Sequence, residues 1–221
     1  MDSVKENVIP TVIIRPVRSV PSELEQCKPL IRTLWLDQRF PQNFLDRVIK
    51  AGDTELYHVE EKYLKSPRNH WWVAQLNDNK IVGQVSLQPM SSGGGGDSTR
   101  FYKNIDPQDY CELRHLTVLP EYQRQQIGYR LLKASIEFAR QNKYKALYVK
   151  TMLSMKRACE FYERCGFERA PQIERHELAD TKKIKLFNNI DRLTEDDWNE
   201  LKNLAETEVK HYYDQSYFMK L

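Results

Sequence analysis

The sequence predicts an α/β protein with a central mixed β-sheet of about six or seven strands and helices on both faces. Two observations support this fold class. The middle of the chain carries a hairpin pattern, and strand and helix patterns alternate after it. Hairpins pair their strands antiparallel, whereas strands joined through a helix pair in parallel by a right-handed crossover. A sheet that contains both kinds of connection is mixed.

The first third of the chain reads as one strand followed by helices. Residues 11–17 alternate β-branched residues with others, and Pro21 then offers a helix start ahead of an apolar pattern that reaches Trp35. A second helix is predicted over 42–50 and is expected to end at Gly52, and a weaker helical pattern covers 54–64.

A hairpin and a glycine-rich stretch occupy the middle of the chain. Residues 71–76 and 81–87 are strand-like and are separated by Asn77 to Lys80, which tolerate tight-turn geometry. The stretch 91–98 contains four consecutive glycines and is predicted to be a mobile loop within the domain. A linker between two domains is the alternative, but it would leave the flanking strands with uncovered apolar faces.

Strands and helices alternate in the second half. Residues 110–119 read as a strand, and the apolar stripe of 127–141 predicts a largely covered helix. A short strand at 146–151 leads to a helix that is capped by Ser154 and stopped by Gly166.

The C-terminal part carries a further helical signal. Thr194, the acidic residues after it and an apolar spacing through Val209 predict an extra C-terminal helix. The tail 212–221 is aromatic enough to dock on another surface, which leaves a homodimer open. We therefore expect a single domain over 1–221, with a core at about 11–170 and a C-terminal extension at about 171–221.

Composition excludes several classes of protein. The net charge of +3, from 34 basic and 31 acidic residues, is too balanced for a surface that coats a polyanion, so no nucleic-acid partner is predicted. No stretch approaches the apolar length that crosses a bilayer, so no membrane partner is predicted. The four cysteines and five histidines show no zinc or redox spacing. This predicts no metal and a reducing compartment, which is cytoplasmic with the nucleus as the alternative.

The segment after Pro120 has the features of an anion-binding turn. Between a strand end and a helix start, several backbone N–H groups have no intrahelical partner, and the helix dipole adds positive potential there. Such a turn can bind a diphosphate. Gly128 permits close backbone approach, while Gln123, Arg124 and Gln125 add side-chain donors.

Two motifs resemble the GNAT superfamily of acyl-CoA N-acyltransferases. In that family a strand ends in hydrophobic-x-Val-x-Pro and a turn of pattern Arg/Gln-x-x-Gly-x-Gly/Ala follows, which corresponds here to Leu116 to Pro120 and Gln123 to Gly128. The family's Ala-x-x-x-Tyr-Glu-x-x-Gly-Phe helix is matched by Ala158, Tyr162-Glu163 and Gly166-Phe167, with Phe161 before the tyrosine. The resemblance covers about residues 109–170. It implies a GNAT-like fold with acetyl-CoA as the co-substrate.

Two residues depart from the family pattern. Gln126 replaces the first glycine of the turn and makes it bulkier, and Met155 stands where many relatives have an Asn that contacts the cofactor. Binding is still expected, because the main contacts are backbone amides. Residues 112–118, together with Phe138-Ala139 and the long insert, are similar to the eukaryotic branch that acetylates small amines. Those relatives usually carry a hydrophobic membrane segment, which these 221 residues lack.

The resemblance also implies which residues bind the cofactor. The backbone of the strand end would hold the acetyl carbonyl and the pantetheine arm, at Leu116, Thr117 and Val118. The turn and the first residues of its helix would hold the diphosphate, at Gln123, Arg124, Gln125, Gln126, Ile127, Gly128, Tyr129 and Arg130. Arg157 would reach the adenosine 3′-phosphate. A solvated side chain is the alternative for Tyr129, Arg130 and Arg157.

Acyl transfer to an amine needs an acid for the departing thiolate and a route for the amine's proton. The resemblance assigns the acid to Tyr162, for which a core tyrosine is the alternative. Glu112 is the candidate general base, directly or through water, and an ion-pair partner of a nearby arginine is its alternative. His115 has a more suitable intrinsic pKa, but strand alternation predicts that it lies on the opposite face from Glu112, as a structural histidine.

These residues predict an N-acetyltransferase that transfers the acetyl group of acetyl-CoA to a primary amine of a small molecule within a ternary complex. One alternative is acetylation of protein N-termini or lysines. Another is a CoA-binding regulatory module without catalysis.

Overall fold

The computed structural model describes residues 11–35, 40, 42–90, 101–102, 104–177, 184–187 and 211–221. Within these residues, eight strands form one sheet in the order β1-β2-β3-β4-β5-β8-β6-β7. The strands are β1 (Val12–Pro16), β2 (His70–Leu76), β3 (Ile81–Pro89), β4 (Tyr110–Val118), β5 (Ala146–Met152), β6 (Glu168–Glu177), β7 (Ile184–Phe187) and β8 (His211–Lys220). The predicted α/β class with a mixed sheet is confirmed, but the sheet has more strands than expected.

The sheet is mostly antiparallel. Strands β4 and β5, which are joined through a helix, form the one parallel pair among the described strands. The predicted hairpin is β2 and β3, and Asn79 in its turn adopts a positive φ of 68°, a conformation that asparagine tolerates better than most residues. Strand β8 pairs antiparallel with both β5 and β6 and so lies inside the sheet.

In the part of the chain that the structure describes, four α-helices flank the sheet, namely α1 (Pro21–Thr33), α2 (Gln42–Tyr57), α3 (Ile127–Gln141) and α4 (Lys156–Arg164). A π-helical turn follows α2 at Glu60–Leu64. On one face, Leu131 and Leu132 of α3 and Tyr162 of α4 are buried against the sheet. On the other face, the apolar stripe of α1 packs on Trp71 and Val73 of β2. Helices therefore cover both faces, as the sequence predicts.

Three local predictions need correction. Helix α2 continues past Gly52 to Tyr57, so this glycine does not end it. A Cβ at Gly52 would lie 2.6 Å from Cγ2 of Ile31, so the glycine permits a close contact between α1 and α2. The N-cap of α4 is Met155, one residue after the predicted Ser154, and it makes no side-chain cap hydrogen bond. The tail 212–221 belongs to strand β8, so its aromatic residues pack within the sheet of this chain, and the homodimer stays a prediction. The stop at Gly166 is confirmed by its φ of 88°.

Two sequence predictions lie outside the described residues, namely the glycine-rich loop at 91–98 and the helix at 194–209. The part of the predicted C-terminal extension that the structure describes consists of strands that join the central sheet. Among the described helices, none has the length and apolar character required to cross a membrane.

Candidate functional site

A β-bulge in β4 arranges the candidate site. His115 adopts a positive φ of 56°, and the register between β3 and β4 shifts so that His115 and Leu116 together oppose Val85. A bulge adds one residue to its strand, so side chains beyond it switch to the opposite faces of the sheet. Leu113 before the bulge and Leu116 after it therefore both pack toward α3.

The bulge corrects the prediction for His115. Its imidazole stacks on Trp71 with ring centroids 5.0 Å apart, on the face of the sheet that α1 covers. Glu112 accepts a hydrogen bond from Gln88, which in turn contacts Tyr63 on that same face. The expectation that Glu112 and His115 lie on opposite faces is wrong, because it assumed an unbroken strand.

Strands β4 and β5 separate beside the bulge. Their parallel pairing ends at Glu112 and Tyr148, after which β5 continues along β8 as far as Met152. The amide of Leu119 donates to the Val82 carbonyl of β3 at 2.9 Å. Amides alternate in direction along an extended strand, so the N–H of Val118 points away from β3 into the gap. The gap thus offers backbone groups of β4 to a ligand.

The gap leads to the turn that precedes α3. Arg124 and Gln126 both adopt left-handed conformations, with φ of 63° and 61°. The first bond of the helix runs from the amide of Arg130 to the carbonyl of Gln126 at 3.0 Å. The amides of Ile127, Gly128 and Tyr129 consequently have no intrahelical acceptor. Backbone N–H groups grouped in this way form a concave anion-binding site.

Side chains leave this turn open. The amide groups of Gln123 and Gln125 donate back to the carbonyls of Val118 and Glu121, at 3.0 and 3.4 Å. Residues 123–126 are exposed. A Cβ at Gly128 would meet Phe161 and Val118 at 3.8 to 3.9 Å, which is ordinary contact.

The other predicted cofactor contacts lie in different surroundings. Arg130 donates from Nη2 to the Val12 carbonyl of β1 at 2.7 Å, so its guanidinium lies against the sheet edge. Tyr129 is 53% exposed at the start of α3, and Arg157 is exposed in the first turn of α4. Thr117 is buried, and its hydroxyl donates to the His115 carbonyl at 3.2 Å.

Tyr162 of α4 is buried among aromatic rings. Its ring packs against Phe161, Phe167 and Tyr217 at centroid distances of 5.4 to 5.8 Å. Burial, followed by the neighbouring thiols of Cys159 and Cys165, raises the pKa of the Tyr162 hydroxyl well above its ordinary value. Within the described part of the chain this hydroxyl has no hydrogen-bond partner. Tyr162 therefore keeps its proton at neutral pH and is able to donate it.

A charged cluster that the sequence analysis did not predict lies beside Glu112. It is centred on Glu55 of α2, whose carboxylate accepts hydrogen bonds from His115 at 3.1 Å, Arg114 at 3.2 Å and Lys62 at 2.7 Å. The Tyr63 hydroxyl also contacts Glu55, and it lies 3.2 Å from Oε1 of Gln88. Nε2 of Gln88 donates to Oε2 of Glu112 at 3.2 Å.

Glu55 is ionised in this cluster. Burial alone would raise the pKa of its carboxyl, but hydrogen bonding and charge from His115, with the charge of Arg114 and the hydrogen bond of Lys62, lower the pKa far below its ordinary value. No spacing in the sequence marks Glu55, Tyr63 or Gln88 as a set, because they come from three elements. Among the described residues, no group of three or more His, Cys, Asp or Glu side chains is arranged to hold a metal.

A strand pair that separates beside a bulge and leads to a turn of free amides has the geometry that a phosphorylated ligand would require. The sequence profile of the acetyltransferase (GNAT) family matches residues 31–167. The chain belongs to this family, which confirms the prediction made from its two motifs.

Individual proteins show the same likeness. The chain is 29% identical over 116 residues to a probable N-acetyltransferase named camello from Xenopus tropicalis, covering 52% of this chain and 46% of that protein. It is 27% identical over 123 residues to the N-acetylaspartate synthetase of the same species, covering 56% and 40%. The match thus spans about half the length of these curated relatives, or less. The Salmonella typhimurium protein YncA, solved with its cofactor acetyl-CoA, superposes with a TM-score of 0.60 at 12% identity, covering 96% of this chain and 94% of that one.

Proposed function

We propose that the protein transfers the acetyl group of acetyl-CoA to a primary amine of a small molecule within a ternary complex. The observation that carries this proposal is that β4 leaves its pairing with β5 at Glu112 and runs on into the open turn before α3. A thioester in the gap and a diphosphate on the turn would be two parts of one acetyl-CoA molecule, joined by its pantetheine arm. Family membership and the cofactor of YncA support this choice of ligand.

Each part of the site would bind one part of the cofactor. The amides of Ile127, Gly128 and Tyr129 would hold the diphosphate, and the amide of Val118 would hydrogen-bond in the gap, where an acetyl carbonyl requires a donor. Arg157, exposed at the start of α4, would contact the adenosine 3′-phosphate. Bound acetyl-CoA supplies an activated acyl group.

Two side chains would move protons. Glu112, at the last paired position before β4 and β5 separate, would take the proton of the acceptor ammonium. Tyr162, whose raised pKa keeps it protonated, would supply the proton for the departing thiolate. The two residues belong to different elements, Glu112 to β4 and Tyr162 to α4, which suits separate roles on the entering and the leaving group.

A small acceptor is supported by the name of one relative, N-acetylaspartate synthetase, which specifies an amino-acid product for that protein. Glu112 is half-buried and lies next to the Glu55 cluster. Such an enclosed position suits a compact amine better than a peptide in extended form.

Release of free thiol from acetyl-CoA tests the proposal. The protein is mixed with acetyl-CoA and a panel of small amines, amino acids, N-terminal peptides and lysine peptides. We expect release with small amines, and a fall of about 10²-fold or more in kcat for Glu112→Gln. Release only with peptides would favour a protein acetyltransferase. If calorimetry shows that acetyl-CoA binds but no acceptor causes release of free thiol, the protein is a regulatory module. If acetyl-CoA does not bind, the proposal is refuted.

A further inference from the structure

The Tyr63 hydroxyl makes more hydrogen-bond contacts than its single hydrogen can serve. The Tyr63 hydroxyl lies within hydrogen-bond distance of two acceptors, Oε1 of Glu55 and Oε1 of Gln88. A phenol carries one hydrogen, so it can donate to only one of them at a time. The contact with Glu55 is the shorter of the two and involves an ionised carboxylate, which makes it the stronger acceptor.

Two arrangements of the hydrogens fit these contacts. In the first, Tyr63 donates to Glu55 and Gln88 donates to an ionised Glu112, so the 3.2 Å contact between Tyr63 and Gln88 holds no hydrogen. In the second, Tyr63 donates to Glu55, the Gln88 amide is turned so that its nitrogen donates to Tyr63, and its oxygen faces Glu112. The two orientations of a glutamine amide occupy the same volume. The 3.2 Å contact between Gln88 and Glu112 then requires a hydrogen on the Glu112 carboxyl.

We infer that Glu55, Tyr63 and Gln88 form a hydrogen-bond relay that stabilises the proton taken up by Glu112. The inference rests on the proposed function, in which Glu112 is the general base. As the ammonium N–H bond breaks, its electron pair remains on the amine and a new O–H bond forms on Glu112. This hydroxyl donates to the amide oxygen of Gln88, and the turned amide nitrogen donates to Tyr63. Glu55, Tyr63 and Gln88 are positioning residues that act through Glu112.

Other charged groups around Glu112 do not replace this relay. On β4, Arg114 and His115 are paired with Glu55. From β5, Tyr148 is buried beside Glu112, and its pKa is raised to about 12, mainly by burial. Beyond it, Lys150 is paired with Glu174 of β6 at 2.7 Å and senses Asp214 of β8. Lys62, on the π-helical turn, is paired with Glu55. Among the described residues, Gln88 alone makes a hydrogen bond with the Glu112 side chain.

Replacing Tyr63 by Phe changes the two arrangements unequally. The arrangement with ionised Glu112 loses one hydrogen bond, from Tyr63 to Glu55. The arrangement with protonated Glu112 loses two, one of them the charge-assisted bond to Glu55. Protonation of Glu112 is therefore disfavoured in Tyr63→Phe, and the pH at which Glu112 titrates falls by about 0.5 to 1 unit. The effect passes through Gln88, so it disappears in a Gln88→Met background.

Carboxyl carbon NMR measures this midpoint without any acceptor. The Glu112 signal is assigned by its absence from the spectrum of Glu112→Gln, and its titration is followed in wild type, Tyr63→Phe, Gln88→Met and the double variant. We expect the downward shift between wild type and Tyr63→Phe, and no shift between Gln88→Met and the double variant. Tyr144→Phe is the matched control, because this buried hydroxyl donates to the Arg68 carbonyl outside the relay, and its midpoint should equal that of wild type.

Kinetics provides the second measurement. An ionised base is the active form, so a lower midpoint moves the acidic limb of kcat/KM to lower pH by the same amount. The acceptor's own ionisation is common to all variants and cancels in the comparison. Equal NMR midpoints in wild type and Tyr63→Phe, or the same shift with and without Gln88, would overturn the relay. If the NMR shifts appear but no acceptor is acetylated, the proposed function fails and the relay remains only as a coupling between Glu112 and Glu55.

Discussion

Glu55 holds several charged side chains together, although no pattern in the sequence marks it as a site residue. Its side chain is 10% exposed, and its donors come from β4 and from the turn after α2. Removing a carboxylate from among cations leaves those cations without their partner, which costs more than the pair itself contributes. The charge of Glu55 should therefore appear in the stability of the fold as well as in catalysis.

We expect Glu55→Gln to lower the free energy of unfolding at pH 7 by about 1 to 3 kcal/mol. The folded-state pKa of Glu55 is lowered from 4.5, so its contribution is complete above that pH and is lost as the pH falls toward the folded-state value. Urea unfolding of both proteins at pH 7, 5, 4 and 3 measures the difference. It should shrink below about pH 4.5.

Glu25→Gln is the matched control for this measurement. Glu25 also pairs with a lysine, Lys28, but its side chain is 61% exposed. Exposed pairs contribute about 0 to 1 kcal/mol, so the control should change little at any pH. A difference for Glu55→Gln that stays constant from pH 7 to pH 3 would contradict an ionised Glu55.

At the scale of elements, the sequence predicted the parts of the site that depend on local pattern. The strand β4, the turn after Pro120 and the helix α3 follow from adjacent residues, so their motif was sufficient. The bulge at His115 was not predicted, because its positive φ depends on the pairing of β4 with β3. The partners of Glu112 were missed for the same reason, since Gln88 and Tyr63 reach it only through tertiary packing.

Two glycines flank the end of β4, and the structure assigns them different roles. A Cβ at Gly83 of β3 would lie 3.0 Å from the Thr117 carbonyl and 3.2 Å from Leu131, so backbone and helix both resist it. We expect Gly83→Ala to destabilise the fold by about 1 to 3 kcal/mol. Gly128→Ala meets only ordinary contacts and gains helix propensity, so stability should hold or rise by up to about 1 kcal/mol.

The two variants are separated by measuring unfolding and acetyl-CoA binding in parallel. Gly128→Ala should bind acetyl-CoA more weakly while remaining fully folded, because its added methyl group narrows the approach to the turn between Val118 and Phe161. Gly83→Ala should lose stability first. Equal destabilisation by both substitutions would show that Gly128 is required for packing and not for the ligand.

At the scale of the whole molecule, the C-terminal strand β8 is an internal part of the central sheet. Strand β8 pairs with β5 over Ala146 to Met152 and with β6 on its other side. Its Phe218 is fully buried and stacks on Phe101 with ring centroids 4.7 Å apart. Strands β6 to β8 escaped the sequence analysis because partners so distant in the chain leave no local periodicity.

A core that ends near residue 170 should therefore not fold. Without β8, the edges of β5 and β6 would be unpaired, and the buried rings of Tyr110 and Tyr148 would be exposed. We expect a chain ending at residue 210 to show no cooperative unfolding by circular dichroism. In the full chain, Phe218→Ala should cost about 3 to 5 kcal/mol, whereas Tyr129→Ala, at an exposed aromatic, should change stability by less than about 0.5 kcal/mol. Cooperative unfolding of the shortened chain at unchanged stability would show that β8 is dispensable and that the domain closes without its C-terminal strand.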